Sequence, residues 1–360
     1  MRARRKGAPN IHSTEIMDIR LRKSMARYRK KSSATALFEL VVTLFLFSLF
    51  YAAGIFFAST GRTVAMLPCA CMTGCFLVRL FIIQHDCGHA SFFVSKRANT
   101  IVGSVLGVLT LTPFHCWRRC HAIHHAHSGN LDERAFGGVH TLAVQEYEAL
   151  TPWQRRLYRL YRNPFVLFGV GAFALFFIRQ RLTYYLPREW KTERASVHAT
   201  NTCIAVLILA VVMAGGGRSF FLFHVPAMAF AASLGVWLFY VQHQFPDSYW
   251  SREQDWNRVD AVMIGSSHYE LPGVARWMTA NIGLHHIHHL DSAIPSYRLQ
   301  ACLAAHQELQ RSQRFTFRES LSYTRLKLWD EEQRRMVPFP STRPAATLAS
   351  SVRMGPSCTQ

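Results

Sequence analysis

The sequence predicts an all-α integral membrane protein with four transmembrane helices in two hairpins, interfacial helices and a helical cap on the cytoplasmic side. Three observations support this fold class. Half of the 360 residues are hydrophobic and only 17% are charged, which is typical of membrane proteins. Four apolar stretches are long enough to cross about 30 Å of hydrocarbon as helices. Clusters of histidine follow these stretches in the polar parts of the chain.

The N-terminal segment, residues 1–33, is strongly basic and contains 11 Arg and Lys residues. The positive-inside rule therefore predicts that the N-terminus is cytoplasmic. The segment does not resemble a cleaved signal peptide, because about 33 polar residues precede an apolar run that is too long for a cleaved core. We expect that run to be a retained membrane anchor.

The four predicted spans form two hairpins. Residues 40–58 and 64–84 make the first, and we expect Arg79, near the end of the second span, to extend toward the lipid headgroups. Residues 199–217 and 219–242 make the second, and they meet at three consecutive glycines followed by an arginine. Two hairpins return the chain to the side on which it started, so both histidine-rich regions are predicted to be cytoplasmic.

Residues 163–178 form another apolar stretch, but basic residues flank it on both sides. A full crossing fits poorly with this pattern, so we predict a helix that lies in the interface or re-enters the membrane. The predicted domains are the basic segment, a membrane domain with its cap over residues 34–330, and a flexible C-terminal tail over residues 331–360. The tail is rich in Pro, Ser, Ala and Arg.

Charge and cysteine content limit the possible partners and compartment. The formal net charge is +20, which favours anionic headgroups or an acidic protein partner. No nucleic-acid-binding motif is present, so nucleic acid is not expected as a partner. The nine cysteines follow no framework spacing, which predicts reduced thiols.

Three histidine boxes carry the strongest functional signal. On a helix, positions i, i+3 and i+4 share one face, so we expect each box to direct its rings toward one point. Their eight imidazoles belong to His85 and His89 in the first box, His121, His124 and His125 in the second, and His285, His288 and His289 in the third.

Eight imidazoles are too many for one metal ion and suit two ions, each with a position left open. Neutral imidazoles are suitable ligands for Fe, Zn, Cu or Ni. His243 leaves the fourth span level with the boxes and is a candidate ninth ligand. No HExxH motif occurs, which disfavours a zinc protease.

Metal-bound histidines usually need polar partners that orient their rings. Asp86, Asp132 and Asp291 each stand beside a box and are candidates for this role. The alternative is that they are ordinary helix caps or surface charges. Asn281 is a further candidate, to orient a ring or a water.

The boxes "HDCGH", "HAIHH" and "HHIHH" resemble those of the membrane fatty acid desaturases. The flanks "WRRCHAIHHAHSGNLD", "LFYVQHQF" and "NIGLHHIHHLDSAIPSYRL" are similar to the bacterial and plastid Δ12, or ω6, acyl-lipid branch. The resemblance implies a four-span scaffold in the bacterial inner membrane, with a cytoplasmic cap that holds two irons through the eight box histidines and His243. The stretch "LDERAFGG" departs from the more basic, glycine-rich turn of these relatives.

The resemblance implies an enzyme that uses O₂ to insert a cis double bond into a lipid acyl chain. The acyl group would be carried on a glycerolipid, on coenzyme A or on acyl carrier protein. No fused cytochrome b5 pattern is present, so electrons would come from a separate acidic donor such as ferredoxin or cytochrome b5. An acyl hydroxylase on the same scaffold is the main alternative. A haem-binding electron carrier and a metal transporter are weaker ones, because the histidine clusters lie outside the spans.

Overall fold

The computed structural model describes residues 20–134, 136 and 138–340. Most of the basic segment 1–33 and most of the predicted tail 331–360 therefore lie outside the described residues. In chain order the α-helices are α1 (Ser33–Ser59), α2 (Thr63–Gly88), α3 (Lys96–Leu109), α4 (Phe114–His127), α5 (Val144–Ala149), α6 (Pro152–Tyr161), α7 (Ala172–Phe177), α8 (Lys191–Met213), α9 (Gly217–His243), α10 (Arg258–Met263), α11 (Gly273–Met278), α12 (His285–Leu290), α13 (Ser296–Ala305) and α14 (Phe317–Tyr323).

Short helices and strands connect these elements. Strands β1 and β4 pair in parallel and β4 and β5 pair antiparallel, while β2 and β3 form a separate parallel pair. The strands are β1 (Leu142–Ala143), β2 (His268–Glu270), β3 (Arg314–Thr316), β4 (Leu328–Asp330) and β5 (Arg335–Val337). Residues 20–25 are also helical. The remaining helices are the π-helix Val166–Gly171 and the 3₁₀-helices Ala26–Arg29, Arg179–Arg181, Glu253–Asp255 and Leu309–Arg311.

Among the described residues, four helices are long and apolar enough to cross a membrane: α1, α2, α8 and α9. They form the two predicted hairpins, and Gly215 gives the second turn its backbone with a φ of +76°. The helices α2 and α9 continue beyond the apolar stretches on which the prediction rested. Their last turns carry His85 and His243, so each span delivers a histidine directly into the polar part of the protein.

Small residues allow α2 and α9 to pack closely. Ala70 and Gly74 on α2 pack near Ala227 on α9, and Ala70 and Ala227 belong to one apolar cluster. A Cβ atom placed on Gly74 would lie 3.0 Å from the Ala227 carbonyl oxygen. Close approach through Gly and Ala is typical of helix packing in membranes, where burial from water contributes little between spans.

Arg79 differs from the prediction, because its side chain does not extend to the surface. It is only 3% exposed and forms an ion pair with Glu39 on α1. It also donates to the Thr43 hydroxyl at 2.9 Å and lies 4.2 Å from the ring centroid of Trp277. A buried cation needs such partners, and Glu39 supplies one on the neighbouring helix of the hairpin.

Two helix pairs are sharply bent, and each could be a broken span or a re-entrant segment. The first is α3 with α4, bent by 102°, and the second is α6 with the segment Val166–Arg181, bent by 70°. On α6, Trp153, Leu157 and Leu160 share an exposed apolar face, as in helices that lie at an interface. The interfacial position of residues 163–178 stays a prediction.

The boundary of the predicted C-terminal tail is wrong as far as residue 337. Residues 331–337 complete the β4–β5 hairpin, and Met336 is 1% exposed. The Asp330 carboxylate stabilises the turn by accepting hydrogen bonds from the N–H groups of Glu332 and Gln333. Strands of three residues with a charged turn have too little alternation to be recognised from the sequence.

The cap is formed by the elements after α9 together with residues 20–32. Leu21 and Met25 are buried in one cluster with apolar residues of α12 and α13. The Arg29 guanidinium pairs with Asp291 at 2.7 Å. Residues 20–32 therefore pack directly over the helix that carries the third histidine box. The eight cysteines among the described residues are free thiols.

Candidate metal centre

All nine predicted ligands lie together, although they come from distant parts of the chain. Four elements supply them: the end of α2, the second half of α4, the last residue of α9 and the helix α12. They form two groups, and within each group the candidate ligand atoms lie within 4.8 Å of one another. The five-histidine group contains His85, His89, His121, His125 and His288, and the four-histidine group contains His124, His243, His285 and His289.

The second and third boxes are each divided between the two groups, which differs from the expectation that each box faces one point. In α4, His121 and His125 join the five-histidine group while His124 joins the other. In α12 the arrangement is reversed, with only His288 in the five-histidine group. The reason is geometric: successive residues on a helix diverge by about 100°, so adjacent histidines cannot face the same point.

Ring nitrogens in the four-histidine group crowd together in a way that hydrogen bonds alone cannot satisfy. The His285 Nε2 atom lies 3.0 Å from the Nε2 atoms of both His243 and His289. His124 Nε2 lies 3.2 Å from His243 Nε2. A neutral imidazole has one N–H and one lone pair, so the four Nε2 atoms can form at most two hydrogen bonds for these three close contacts. A cation between them removes the conflict, and the donor set therefore fits a metal ion.

The five-histidine group shows the same crowding and also has unpaired nitrogens. His125 Nε2 lies 3.0 Å from the Nε2 atoms of His121 and His288. The Nε2 atoms of His85 and His89 are buried and have no hydrogen-bond partner among the described residues. A buried polar atom without a partner costs about 1–3 kcal/mol, so these two nitrogens also indicate a missing ligand.

Burial keeps these rings neutral, as metal binding requires. Burial lowers the pKa of the seven box rings outside the spans well below its usual value, and neighbouring imidazoles lower it further. These are His89, His121, His124, His125, His285, His288 and His289. Clustered imidazoles that cannot accept protons retain the lone pairs with which they could bind a metal.

Two acceptors orient rings at the ends of the spans. The Asp86 carboxylate accepts from His85 Nδ1 at 3.1 Å and from the Ser296 N–H at 2.7 Å. The Gly265 carbonyl oxygen accepts from His243 Nδ1 at 3.1 Å. In both rings the N–H is thereby held at Nδ1, and the lone pair of Nε2 faces the group. Asp86 thus occupies the orienting position that the sequence predicts for it.

The other three candidates for orienting residues bind elsewhere. Asp132 is paired with Arg252 at 3.0 Å, and Asp291 is paired with Arg29. The Asn281 amide donates to the Ser296 carbonyl oxygen at 3.0 Å. None of the three contacts a box histidine among the described residues. Proximity in sequence did not predict these contacts, because the partners Arg252, Arg29 and Ser296 are brought close only by tertiary packing.

A cavity opens beside the four-histidine group. His124, His243 and Phe239 line it, and the Phe239 ring lies 5.2 Å and 5.3 Å from the two imidazoles. The exposed side chain of Glu133 also lines the cavity, so it connects the buried rings with the surface. Only the four-histidine group contributes ring ligands to its lining.

Some contacts at the site were not predicted from the sequence. Phe239 precedes His243 by one helical turn, and an i, i+4 search from His243 would have found it. Trp117 stacks on His121 with ring centroids 4.5 Å apart, again at i, i+4. The contact between the Gly265 carbonyl oxygen and His243 could not be predicted, because a backbone group leaves no recognisable pattern in the sequence. His286 lies outside both groups, with its two ring nitrogens directed at the carbonyl oxygens of Ser267 and Leu309.

Comparison with known proteins identifies the family of this scaffold. The family model described as fatty acid desaturase matches residues 61–320, which is more than half of the chain and includes all nine histidines. The chain therefore belongs to the fatty acid desaturase family, whose members are oxidoreductases.

Individual relatives support this assignment. A "Fatty acid desaturase" of Bacillus subtilis is 43% identical over 264 residues, covering 73% of this chain and 74% of the relative. An "sn-1 oleoyl-lipid 12-desaturase" of Synechocystis is 27% identical over 66% of this chain and 68% of its own length. An "sn-1 acyl-lipid omega-3 desaturase (ferredoxin)" of Synechocystis is 29% identical over 63% of each chain.

Proposed function

We propose that this protein uses O₂ to insert a cis double bond into a membrane lipid acyl chain, and that its nine histidines hold two iron ions. The observation that carries the proposal is the crowding of nine imidazoles, seven of them buried, into two groups with more close nitrogen contacts than hydrogen bonds can satisfy. Family membership supports the reaction class, because the family acts on lipid acyl chains.

The reaction balances only with an external reductant. Removal of two hydrogen atoms from a –CH₂–CH₂– unit supplies two of the four electrons that convert O₂ to two waters. Two further electrons and two protons must come from outside. When bound, the irons would supply the O₂ reduction that breaks an unactivated C–H bond, which side chains alone cannot do.

The chain itself would position and shield this chemistry. Asp86 and the Gly265 carbonyl hold two of the rings in one tautomer, and the burial of α12 keeps water from the third box. The cavity beside His124 and His243 is the route by which we expect acyl methylene groups to reach the site. Its walls include Phe136, Val139 and Phe239, which suit an apolar chain.

The substrate that we propose is a glycerolipid with an oleoyl-type chain, desaturated at the Δ12 or ω6 position. The name of the 12-desaturase of Synechocystis supports this choice. An acyl group that is already in the bilayer would reach the four-span scaffold laterally. We also propose a bacterial inner membrane, with the N-terminus, the histidine boxes and the C-terminus cytoplasmic, since the basic N-terminal segment favours that side.

The electron donor would be a separate acidic protein, either a ferredoxin or cytochrome b5. The ferredoxin in the printed name of one Synechocystis relative supports the first choice. The net charge of +20 favours association with an acidic carrier.

Expression in a host that lacks polyunsaturated lipids, followed by gas chromatography of its fatty acids, tests the activity. We expect a new diene with wild-type protein and none with His124→Ala, which removes a ring of the four-histidine group. His140→Ala is the matched control, because this exposed ring belongs to neither group. A hydroxylated fatty acid as product would instead support the alternative function, that of an acyl hydroxylase.

Metal analysis tests the site separately. Purified wild-type protein should contain about two irons per chain. His124→Ala should contain less iron while still inserting into the membrane. Full desaturation by an iron-free preparation would contradict the proposal.

A further inference from the structure

We infer that residues 20–31, here called the cover segment, form the docking surface for the acidic protein that delivers electrons. The inference rests on the proposed function, because it requires a metal centre that is reduced from outside. It adds the place at which the donor binds.

The cover segment has two faces of opposite character. Leu21 and Met25, one helical turn apart, are 6% and 0% exposed. Lys23 and Arg27, also one turn apart, are exposed, as is Lys30. Between residues 20 and 31 the sequence contains seven basic residues and no acidic one. The segment therefore buries its apolar side chains and presents positive charge outward.

The buried face packs over the third histidine box. Leu21 and Met25 belong to one apolar cluster with Ile287 and Leu290 of α12. At about 100° per residue, Ile287 and Leu290 lie on the opposite side of α12 from His285, His288 and His289. A protein bound to the outer face of the cover segment would thus be separated from three ligand histidines by the segment and one short helix.

Specific bonds hold the cover segment in this position. Arg29 pairs with Asp291, which directly follows the third box, at 2.7 Å. The Ser24 hydroxyl lies 3.0 Å from His306 Nε2 on the cap. The Tyr297 hydroxyl accepts from the Ser32 N–H at 3.1 Å. A surface fixed to the ligand-bearing helix suits docking, because the bound donor is held at a constant distance from the centre.

The lack of an exposed apolar face favours a protein partner over a lipid surface. Helices that bind membranes insert apolar side chains beside their basic ones. On α6, Trp153, Leu157 and Leu160 are exposed in this way. In the cover segment, Leu21 and Met25 are instead buried in the cap. Positive charge on a segment that exposes no large apolar side chain of its own for insertion fits an acidic partner that must also dissociate after each electron.

The transfer at this surface is a one-electron exchange. A reduced [2Fe–2S] ferredoxin would lose one electron and leave oxidised, and the irons held by the nine histidines would accept that electron. Two such encounters supply the two external electrons of each turnover. Because the donor must leave between encounters, electrostatic steering that accelerates association is more useful than tight binding.

The test compares two double charge reversals in protein reconstituted into phosphatidylcholine nanodiscs, where no anionic lipid is present. Lys23→Glu/Arg27→Glu alters the cover segment. Arg318→Glu/Arg325→Glu is the matched control, since it removes two exposed basic side chains elsewhere on the described surface. Stopped-flow absorbance follows reduction of the centre by an acidic plant-type ferredoxin and, separately, by dithionite.

We expect the cover-segment variant to be reduced by ferredoxin at least about tenfold more slowly at low ionic strength, with a smaller difference at high salt. Its reduction by dithionite and its iron content should equal those of wild type, and the control should change neither rate. Equal ferredoxin rates in the two double variants would overturn the inference. So would a defect that appears only as weaker binding to phosphatidylserine vesicles.

A second measurement covers the case in which a variant loses metal. Equilibrium binding of ferredoxin to the nanodiscs should then weaken only for the cover-segment variant, and equal binding would contradict the inference. Failure of the proposed function is distinguishable, because wild-type protein would then show no absorbance change with dithionite even where ferredoxin binds.

Discussion

Single acceptor groups determine which nitrogen His85 and His243 present to the histidine groups. Asp86 is the clearest case, because its two carboxylate oxygens serve two donors, His85 Nδ1 and the Ser296 N–H. It therefore joins the end of α2 to the start of α13 as well as orienting a ring. Neighbours that orient metal-bound histidines commonly change metal affinity by about 10–100-fold when they are replaced.

We predict that Asp86→Asn weakens metal binding at the five-histidine group. An amide has one accepting oxygen, so one of the two donors would face an NH₂ group. Iron affinity at this group should fall by about 10–100-fold, and competition with a chromogenic chelator should release one iron early. Asp132→Asn is the control, because Asp132 contacts Arg252 and no ring. Equal iron retention in both variants would contradict the orienting role of Asp86.

Phe239 lines the cavity beside the two imidazoles of the four-histidine group that also line it. Its ring lies within 5.3 Å of both His124 and His243 by centroid distance. We predict that Phe239→Ala speeds the binding of azide to the oxidised centre several-fold, measured by stopped-flow absorbance, at unchanged iron content. Phe168→Ala is the control, because Phe168 packs against Trp237 and Tyr240 and does not line the cavity. Identical azide rates would show that the ring does not limit access.

At the scale of elements, short helices divide their histidines between two centres. The helices α4 and α12 each contribute histidines to both groups. Two from α4 and one from α12 join the five-histidine group, and the reverse holds for the other group, so neither group can form without both helices.

The loop that follows α4 is also fixed. Arg252 pairs with Asp132 at 3.0 Å, with Glu146 at 3.0 Å and with Glu331 at 2.9 Å. This arginine joins the loop after the second box to α5 and to the β4–β5 turn.

We predict that Arg252→Gln loosens residues 128–134 while the spans stay unchanged. Three carboxylates would lose their shared cation, so amide hydrogen exchange in this loop should become faster. Arg314→Gln is the control, because Arg314 forms an exposed pair with Glu270 on another part of the cap. Exchange that rises equally in both variants would indicate a general loss of stability rather than release of this loop.

The ion pairs of Glu146 with Arg134 and Arg252 should stabilise this loop only over a defined pH range. Burial opposes ionisation of Glu146, but hydrogen bonds from Arg134 and from the Ala143 N–H outweigh it and lower the pKa to about 2. A carboxyl group with a lowered pKa stabilises the fold above its unfolded value of 4.5. This contribution is lost as the pH falls from there toward 2, so the loop should remain fixed at pH 5 and above.

At the scale of the whole molecule, the features that could be predicted from the sequence are those that depend on the length of apolar stretches and on helical spacing. The two hairpins and the nine histidines follow from apolar length and helical spacing, and the chain does form these hairpins and bring these residues together. The pairing of Arg79 with Glu39 and the contacts of Asp132 and Asp291 depend on which elements become neighbours. That information lies in tertiary packing, and no local pattern around these residues contains it.

The candidate metal centre also joins distant parts of the chain, because α2, α4, α9 and α12 each contribute histidines to it. We predict that removal of iron by a chelator lowers Tm in detergent by about 5–10 °C per metal. Binding at 100 times Kd contributes about 2.7 kcal/mol, and each kcal/mol shifts Tm by about 2–4 °C in a large domain. Hydrogen exchange should rise in α4 and α12, whose imidazole lone pairs would then repel one another, and not in the α1–α2 turn. The His140→Ala variant should respond like wild type, since His140 belongs to neither group. An unchanged Tm and exchange pattern after complete iron removal would mean that the buried imidazoles are satisfied without a cation.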